Sequence, residues 1–263
     1  GLGDVYKRQT LQYIRDSWLM AMAEMDSEQR ATWEAIYDKK NEEFLKNPPV
    51  GKDLLRWKYQ RYVKEYCRTI RSVDEQVGRL LDYLEEKGVL DNTVIVYTSD
   101  QGFLLGEHGL YDKRFMYEES FRTPLIISCP SLVKKHSVCK ELVQNIDLAP
   151  TFLSLAGVEV PKEMSGRSLL PLFKNGKAEN WRNELYYHFY DYPAVGSVRK
   201  HDGIRTKRYK LIHWYGEGSG NDEAIDFWEL YDLKKDVMEV NNVYDNPKYV
   251  KVREVLTVQL EKL

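Results

Sequence analysis

Between residues 97 and 114 the chain reads YTSDQGFLLGEHGLYDKR. Asp100 and Gln101 set a carboxylate beside an amide carbonyl, a pair of hard oxygens suited to Ca2+ or Mg2+ rather than to a thiolate-seeking metal. Asp100 also has a plainer reading, as a cap or turn residue. Gly102 lets the backbone turn away sharply. Thirteen residues after Asp100, Lys113 is either a solvated surface charge or a compact cation for an anionic ester. His108, inside GEHG, is either an ordinary hydrogen-bonded histidine or a donor to an ester oxygen.

These residues need elements to hold them. Tyr62, Tyr66, Ile70, Val73, Val77, Leu80, Leu81 and Leu84 recur at intervals of three and four, which predicts an amphipathic helix over Tyr59 to Lys87 with Gly88 at its C′ position. Thr93 to Tyr97 is a continuous β-branched and aromatic run, the texture of a strand buried on both faces. Asp100 and Gln101 then fall just past the carboxyl end of a strand, where open α/β sheets gather ligands. A second such strand fits Pro124 to Ser128. The stretch QNIDLAPTFLSLAG reads as a helix with Asp147 as N-cap, Pro150 in its first turn and Gly157 past its end. Strand, helix, strand and helix in succession predict a partly parallel sheet covered by helices on both sides.

On either flank the texture differs. Leu11 to about Asn47 is helix-prone and charged until NPPVGKD breaks it. The first ten residues, GLGDVYKRQT, carry no Met start and resemble translated adapter sequence, an assembly artefact, so they are left out of the fold reading and the true start is expected inside a longer reading frame. A subdomain boundary is placed near Trp181 to Asn183, dividing residues 11–182 from an α+β module over 183–263, because beyond Trp181 short aromatic runs (ELYYHFYDY, YKLIHWYG, DFWELYDL) suggest an antiparallel sheet, closed by a helix over Tyr249 to Leu263.

A net charge of -2, from 39 basic and 41 acidic residues, shows no basic stripe for nucleic acid, and no apolar run reaches the length of a membrane span. The 13% of aromatic residues suits a carbohydrate-facing cleft or an ordinary core. Three cysteines make no disulfide framework, although a Cys129 to Cys139 bridge is open.

The run NTVIVYTSDQGFLLGEHGLYDKRFMYEESFRTPLII closely resembles the second signature region of the formylglycine-dependent sulfatases of the alkaline phosphatase superfamily, in particular bacterial enzymes acting on N-acetylglucosamine-6-sulfate. SVDEQVGRLLDYLEEKGVLDNT upstream, and NIDLAPTFLSLAGVEVP, GRSLLPL, GIRTKRYKLIHWYG and FWELYDLKKDVMEVNNVYDNP downstream, extend the resemblance over about two hundred residues. Ordered matches on that scale are specific; SDQG alone would be weak. The resemblance implies an α/β fold: part of an alkaline-phosphatase-like α/β/α sandwich with a mixed, mostly parallel sheet, plus a small C-terminal α+β module with an antiparallel sheet.

Position by position, the resemblance implies that Asp100 and Gln101 bind the active-site divalent cation, usually calcium, with magnesium the other option. Lys113 matches the lysine that contacts the sulfate and the bridging ester oxygen, with His108 beside it in the catalytic set. Asp112 and Arg114 look like a sugar-recognition pair, and His201, in VRKHDGIRT, is either a further substrate contact or a surface histidine in a basic loop. Sulfated carbohydrate is the implied substrate and the periplasm or cell exterior the implied location. The C/S-x-P-x-R motif that yields formylglycine does not occur; SCPSL at Ser128 to Leu132 lacks its spacing and its arginine, which leaves Cys129 as a core thiol at a strand end. The resemblance places that motif, the paired metal-binding aspartates and a sulfate-holding Lys and His ahead of Leu11. The chain is therefore expected to be a catalytically silent C-terminal part of a sulfatase, with exposed apolar surface. Two other readings remain: a phosphodiesterase or phosphonate monoester hydrolase of the same superfamily, and a non-catalytic carbohydrate-binding module using Trp214 or Trp228.

Overall fold

The computed structural model describes residues 20, 22–193, 198–218 and 223–262. The adapter-like residues 1–10 and the start of the first helical stretch lie outside them. The chain divides into two compact units, Gly1–Lys87 with Leu105–Tyr111, and Gly88–Leu104 with Asp112–Leu263.

The first unit is helical. Helix α1, Ser27–Lys46, starts at a reciprocal cap: Asp26 accepts from the Gln29 amide, and the Gln29 side chain accepts from the Asp26 amide. Pro48 and Pro49 then prevent its continuation. Helix α2, Gly51–Glu86, carries the three-and-four stripe over 36 residues, and Gly88 follows in the left-handed conformation that suits glycine at a helix end. No residue of α2 is buried, and Leu80 on its stripe is 56% exposed. Tyr37 of α1 donates to Glu65 of α2 at 2.6 Å, and Phe44 stacks on Trp57 with ring centres 4.1 Å apart.

The second unit holds two sheets. Strand β1, Ile95–Thr98, pairs with β2, Leu125–Ser128, antiparallel, with Val96 opposite Ile127. A short helix α3, Glu118–Phe121, precedes β2, and α4, Leu148–Leu155, and α5, Leu170–Phe173, follow it. The mostly parallel pairing expected for these strands is not what this pair adopts, since apolar runs report burial and not direction. Nor are the strands buried on both faces. Leu125 and Ile127 pack onto a core of Leu169, Leu172 and Phe173, while Ile126 on the opposite face of the pleat is 63% exposed.

Asp147 sits at the N-cap position of α4, but its carboxylate does not cap that helix. It is fully buried and turned outward from the helix: it accepts from the amides of Gln144 and Arg167, both at 2.8 Å, and pairs with the two terminal guanidinium nitrogens of Arg182. A forked guanidinium satisfies a buried carboxylate more fully than one helical amide does.

The four-stranded sheet runs in the order β3, Glu184–Phe189; β4, Lys200–Thr206; β5, Tyr209–Gly216; β6, Ile225–Asp232, all antiparallel. Helix α6, Val250–Leu260, closes one face, where Leu256 and Leu260 join Ile204, Leu211 and Leu230. Three of these strands follow the aromatic runs read from the sequence. The fourth, KHDGIRT, is polar and was not expected as a strand. All three cysteines are free; Cys129 is buried at the end of β2, and Cys139 donates to the Gly176 carbonyl instead of joining it.

Candidate active site

Asp100 and Gln101 follow β1 on a turn held by two side chains. Ser99 Oγ donates to the Gln101 carbonyl at 2.7 Å, and Asn145 Nδ2 donates to the Asp100 carbonyl at 2.9 Å and the Ser99 carbonyl at 3.2 Å. Asn145 is placed by its neighbour Asp147, the buried partner of Arg182. The Asp100 carboxylate is exposed and makes no ion pair among the described residues. Gly102 is needed for a different reason from the one the sequence suggested. A Cβ there would lie 2.0 Å from the Glu119 carbonyl oxygen, because the 102 amide donates to the Ser120 carbonyl at 2.7 Å. The glycine permits a close approach that ties the Asp100 turn to the segment carrying Asp112, Lys113 and Arg114.

In that segment Asp112 is 8% exposed, and both its oxygens lie 2.7 Å from Arg114 Nη1. Its Oδ1 also accepts from the Lys113 amide at 2.7 Å, and its carbonyl from the Leu104 amide at 2.8 Å. The two residues read as a sugar pair are thus in direct contact, and Lys113 between them is exposed and makes no ion pair among the described residues. The backbone beneath is fixed from several sides. Tyr187 Oη donates to the Arg114 carbonyl at 3.1 Å, Ser120 Oγ to the Lys113 carbonyl, and Lys210 Nζ to the Met116 carbonyl at 2.7 Å.

Lys210 is the centre of a buried ionic cluster that sequence reasoning missed. Its ammonium has no solvent exposure and lies 2.9 Å from Glu118 and 2.7 Å from Glu239. Glu239 also accepts from the Glu118 amide at 2.7 Å, and Arg205 reaches the Glu118 carboxylate at 3.2 Å. Burial pushes the Glu118 carboxyl up, but the Lys210 and Arg205 charges outweigh it and hold it below its usual range. For Glu239 burial wins over Lys210 and raises the carboxyl. Residues separated by 92 positions gave no local signal; only the unusual density of charge in RTKRYK hinted at it.

His201 lies neither on the surface nor in a loop. It sits within β4 with no exposure, stacked on Trp214 at 4.2 Å and on Tyr187 at 5.4 Å, its Nδ1 2.9 Å from the Arg199 carbonyl. Its Nε2 is buried with no hydrogen-bond partner among the described residues. Burial in this aromatic stack pulls its pKa down to about 4, so it is neutral at pH 7. Tyr187, which touches His201 and holds Arg114, is pushed up to about 12 by burial. His108 belongs to the first unit, on a one-turn 3-10 segment, Glu107–Gly109, at a φ of 54° that is uncommon for a residue other than glycine. Glu107 stabilises that turn by accepting from the Leu105 amide at 2.6 Å.

Two hard-oxygen side chains, Asp100 and Gln101, suit a calcium or magnesium ion in kind but not in number, since calcium takes six to eight oxygens. Among the described residues no group of three or more His, Cys, Asp or Glu side chains is placed to hold a metal. Trp214 is buried against His201, and Trp228 is covered by His213, stacked at 4.0 Å, and Tyr244, so neither offers the open aromatic face that a carbohydrate-binding module requires.

Comparison with known proteins fits this arrangement. The sulfatase family model matches residues 21–158, and a model described as N-sulphoglucosamine sulphohydrolase, C-terminal, matches residues 106–263. A solved structure of a protein in complex with its substrate D-glucosamine-2-N,6-O-disulfate superposes with a TM-score of 0.84 at 49% identity, covering 92% of this chain and 48% of that one. The phosphonate monoester hydrolase of Agrobacterium radiobacter superposes with a TM-score of 0.60 at 26% identity, covering 73% of this chain and 39% of that one. The fold is therefore that of the alkaline-phosphatase-like hydrolases, an α/β class. Within it, the chain belongs to the sulfatase family, whose members generally use a divalent metal and a formylglycine. It is 50% identical over 240 residues to an N-acetylglucosamine-6-O-sulfatase of Bacteroides thetaiotaomicron, covering 90% of this chain and 42% of that relative, so the chain spans less than half the length of that protein.

Proposed function

We propose that this chain supplies the metal-turn and sugar-recognition half of a sulfatase that hydrolyses 6-sulfate esters on glucosamine-type sugars. The observation that carries the reading is the Asp112–Arg114 pair, anchored by Tyr187 and fixed close to the Asp100 turn through Gly102, in a chain half identical to an N-acetylglucosamine-6-O-sulfatase. Asp100 and Gln101 would contribute two of the oxygens that hold a calcium or magnesium ion, whose chemistry there would be to polarise the sulfate ester. Lys113 donates to the sulfate and to the leaving oxygen as charge develops there, a role allowed by an exposed ammonium that makes no ion pair among the described residues. Both Asp112 oxygens meet a single Arg114 nitrogen, Nη1, and a sugar hydroxyl that reaches the pair accepts from the guanidinium and donates to the carboxylate. His201, neutral and fully buried, has no open face for a sugar and instead holds Tyr187 in place through their stacked rings.

The test is sulfate release from N-acetylglucosamine-6-sulfate by the intact protein. Arg114→Ala is expected to lower kcat/KM by about a hundredfold, the loss of a charged contact made in the transition state. Wild-type kcat/KM in that variant ends the assigned sugar role. A second reading, hydrolysis of phosphonate or phosphate esters, is favoured by the similarity to the phosphonate monoester hydrolase, and preferential turnover of an aryl monoester of phenylphosphonate, with release of the phenol, would select it.

A further inference from the structure

Beside the sugar-recognition segment the second unit has an open pocket of about 410 Å3. Five cations line it, Arg122, Arg205, Lys207, Arg208 and Lys234, against one carboxylate, Glu118. They come from three places far apart in sequence: the end of α3, the turn between β4 and β5, and the turn after β6. Three of the cations have counter-ions. Arg205 pairs with Glu118 at 3.2 Å, Lys207 with Glu141 at 2.6 Å and Arg208 with Asp232 at 2.8 Å. Arg122 and Lys234 are exposed and make no ion pair among the described residues. The pocket therefore carries five cations against three paired carboxylates among the described residues, Glu118, Glu141 and Asp232, in a chain whose net charge is -2.

Like charges gathered without a counter-ion disfavour the folded chain, and an incoming anion relieves them. The rest of the lining narrows what that anion is attached to. Leu233 and Val237, the latter exposed, form an apolar wall suited to the C–H face of a sugar ring, and no aromatic ring lines the pocket to stack a nucleobase. Arg122 lies eight residues beyond Arg114, and Glu118 between them belongs to the Lys210 cluster that fixes the same segment. Along β4, Arg205 lies four residues from His201, whose ring stacks on the Tyr187 that holds Arg114, a run of about 13 Å at about 3.3 Å per residue; a ligand reaching over that distance would be a chain of sugars, not a single one.

We propose that this pocket is a second saccharide site, which takes an anionic substituent, sulfate or carboxylate, on a sugar unit beyond the one whose ester is cleaved. It rests on the reading of Asp112 and Arg114 as the sugar pair and adds to it that the preferred substrate is an anionic oligosaccharide. Arg122 and Lys234 make the contacts; Arg205, Lys207 and Arg208, already paired, set the potential. Because the pocket is open, its contribution falls as salt rises.

Calorimetric titration of the 263-residue chain decides it, with four probes: inorganic sulfate, N-acetylglucosamine-6-sulfate, a sulfated glucosamine–uronate tetrasaccharide, and the same tetrasaccharide without sulfate. The wild-type chain is expected to bind the sulfated tetrasaccharide more tightly than the monosaccharide, and more weakly at high salt. Arg122→Glu with Lys234→Glu should weaken the tetrasaccharide by about tenfold or more and leave the monosaccharide unchanged. Lys251→Glu, a charge reversal on the exposed side of α6, should change neither. The milder Arg122→Gln with Lys234→Gln, checked by circular dichroism, gives the same ranking should the reversal unfold the chain. Retention of the unsulfated tetrasaccharide marks the carboxylate as the group held, and its loss marks the sulfate. Equal tetrasaccharide affinity in wild type and in both double variants, or an inorganic sulfate affinity as high as that of the tetrasaccharide, overturns the proposal. Failure of the monosaccharide to bind, with tetrasaccharide binding still lost on substitution of Arg122 and Lys234, removes the sugar role of Arg114 and leaves the pocket standing.

Discussion

Two helices of this chain carry the same kind of apolar periodicity and meet different fates. On α6 the stripe ends in Leu256 and Leu260, which close the core above Ile204, Leu211 and Leu230. On α2, three times as long, the stripe from Tyr62 to Leu84 buries nothing fully, and Ile70, Val73, Leu80 and Tyr83 remain about half exposed. A periodic stripe states that a helix has one face for packing; whether packing stabilises it depends on the surface opposite. Charge divides along the same line. The ion pairs of α1 and α2, such as Arg30–Glu34 and Arg71–Glu75, join neighbours on one helix surface, whereas Lys210, Glu118 and Glu239 meet across the second unit with almost no water.

The largest effect should come from the buried charges. Lys210→Met leaves Glu118 and Glu239 facing each other without their shared cation and should cost about 3–5 kcal/mol in urea unfolding. Adding Glu239→Leu removes the more strained carboxylate and should recover part of that loss. A single substitution as mild as a surface one would mean that the cluster is hydrated, and the contrast between the two regions would fall.

Leu256→Ala against Leu80→Ala tests the helices directly. The first empties a filled core position and should cost about 2–5 kcal/mol; the second trims an exposed side chain and should stay within about 0.5 kcal/mol. Comparable losses at the two positions would show that the α2 stripe is covered in solution.

The His201 stack yields a pH signature of similar size. Its folded pKa, about 4, is below the ordinary 6.5, so the folded state favours the neutral ring. The stability this contributes is complete above pH 6.5 and is lost as pH falls toward 4, because the unfolded chain takes up a proton that the folded chain refuses. The total is roughly 3 kcal/mol. His201→Phe preserves the stacking and should flatten that part of the stability–pH curve; an unchanged curve would mean that the ring is protonated in place.

How much of this was legible beforehand follows from the range of each interaction. The long helix, its Gly88 stop and the strand ahead of Asp100 come from patterns within a dozen residues, and local periodicity reports them. The direction of β1 against β2 is set by chain segments far apart, and apolar runs do not encode it. Strand β4 escaped because KHDGIRT lacks alternation: it lies between β3 and β5, where neighbours satisfy its backbone and its polar side chains find stacking or ionic partners. Asp112 and Arg114 were legible as a pair through family resemblance, but nothing local announced Asn145, Tyr187 or Lys210 as the groups that hold the turn and the loop. Asp147 was read as a cap because helix starts favour aspartate; the buried guanidinium of Arg182, 35 residues away, claimed it instead.

The smallest expected effect is the sharpest measure of the contrast. Arg71 Nε lies 2.8 Å from Glu75, a distance as short as those around Lys210, but the two side chains are 80% and 57% exposed. Geometry alone would rank the pairs together. Water screens the surface pair and both long side chains lose rotamer freedom to form it, so a double-mutant cycle with Arg71→Ala and Glu75→Ala should return about 0.3–0.5 kcal/mol of coupling. The corresponding cycle on Lys210 and Glu239 should return several times that, because neither charge has water to fall back on. Raising the salt should erase the first coupling and barely alter the second. Equal couplings, or equal salt sensitivity, would show that burial is not what separates the two regions, and distance would have to be restored as the better guide.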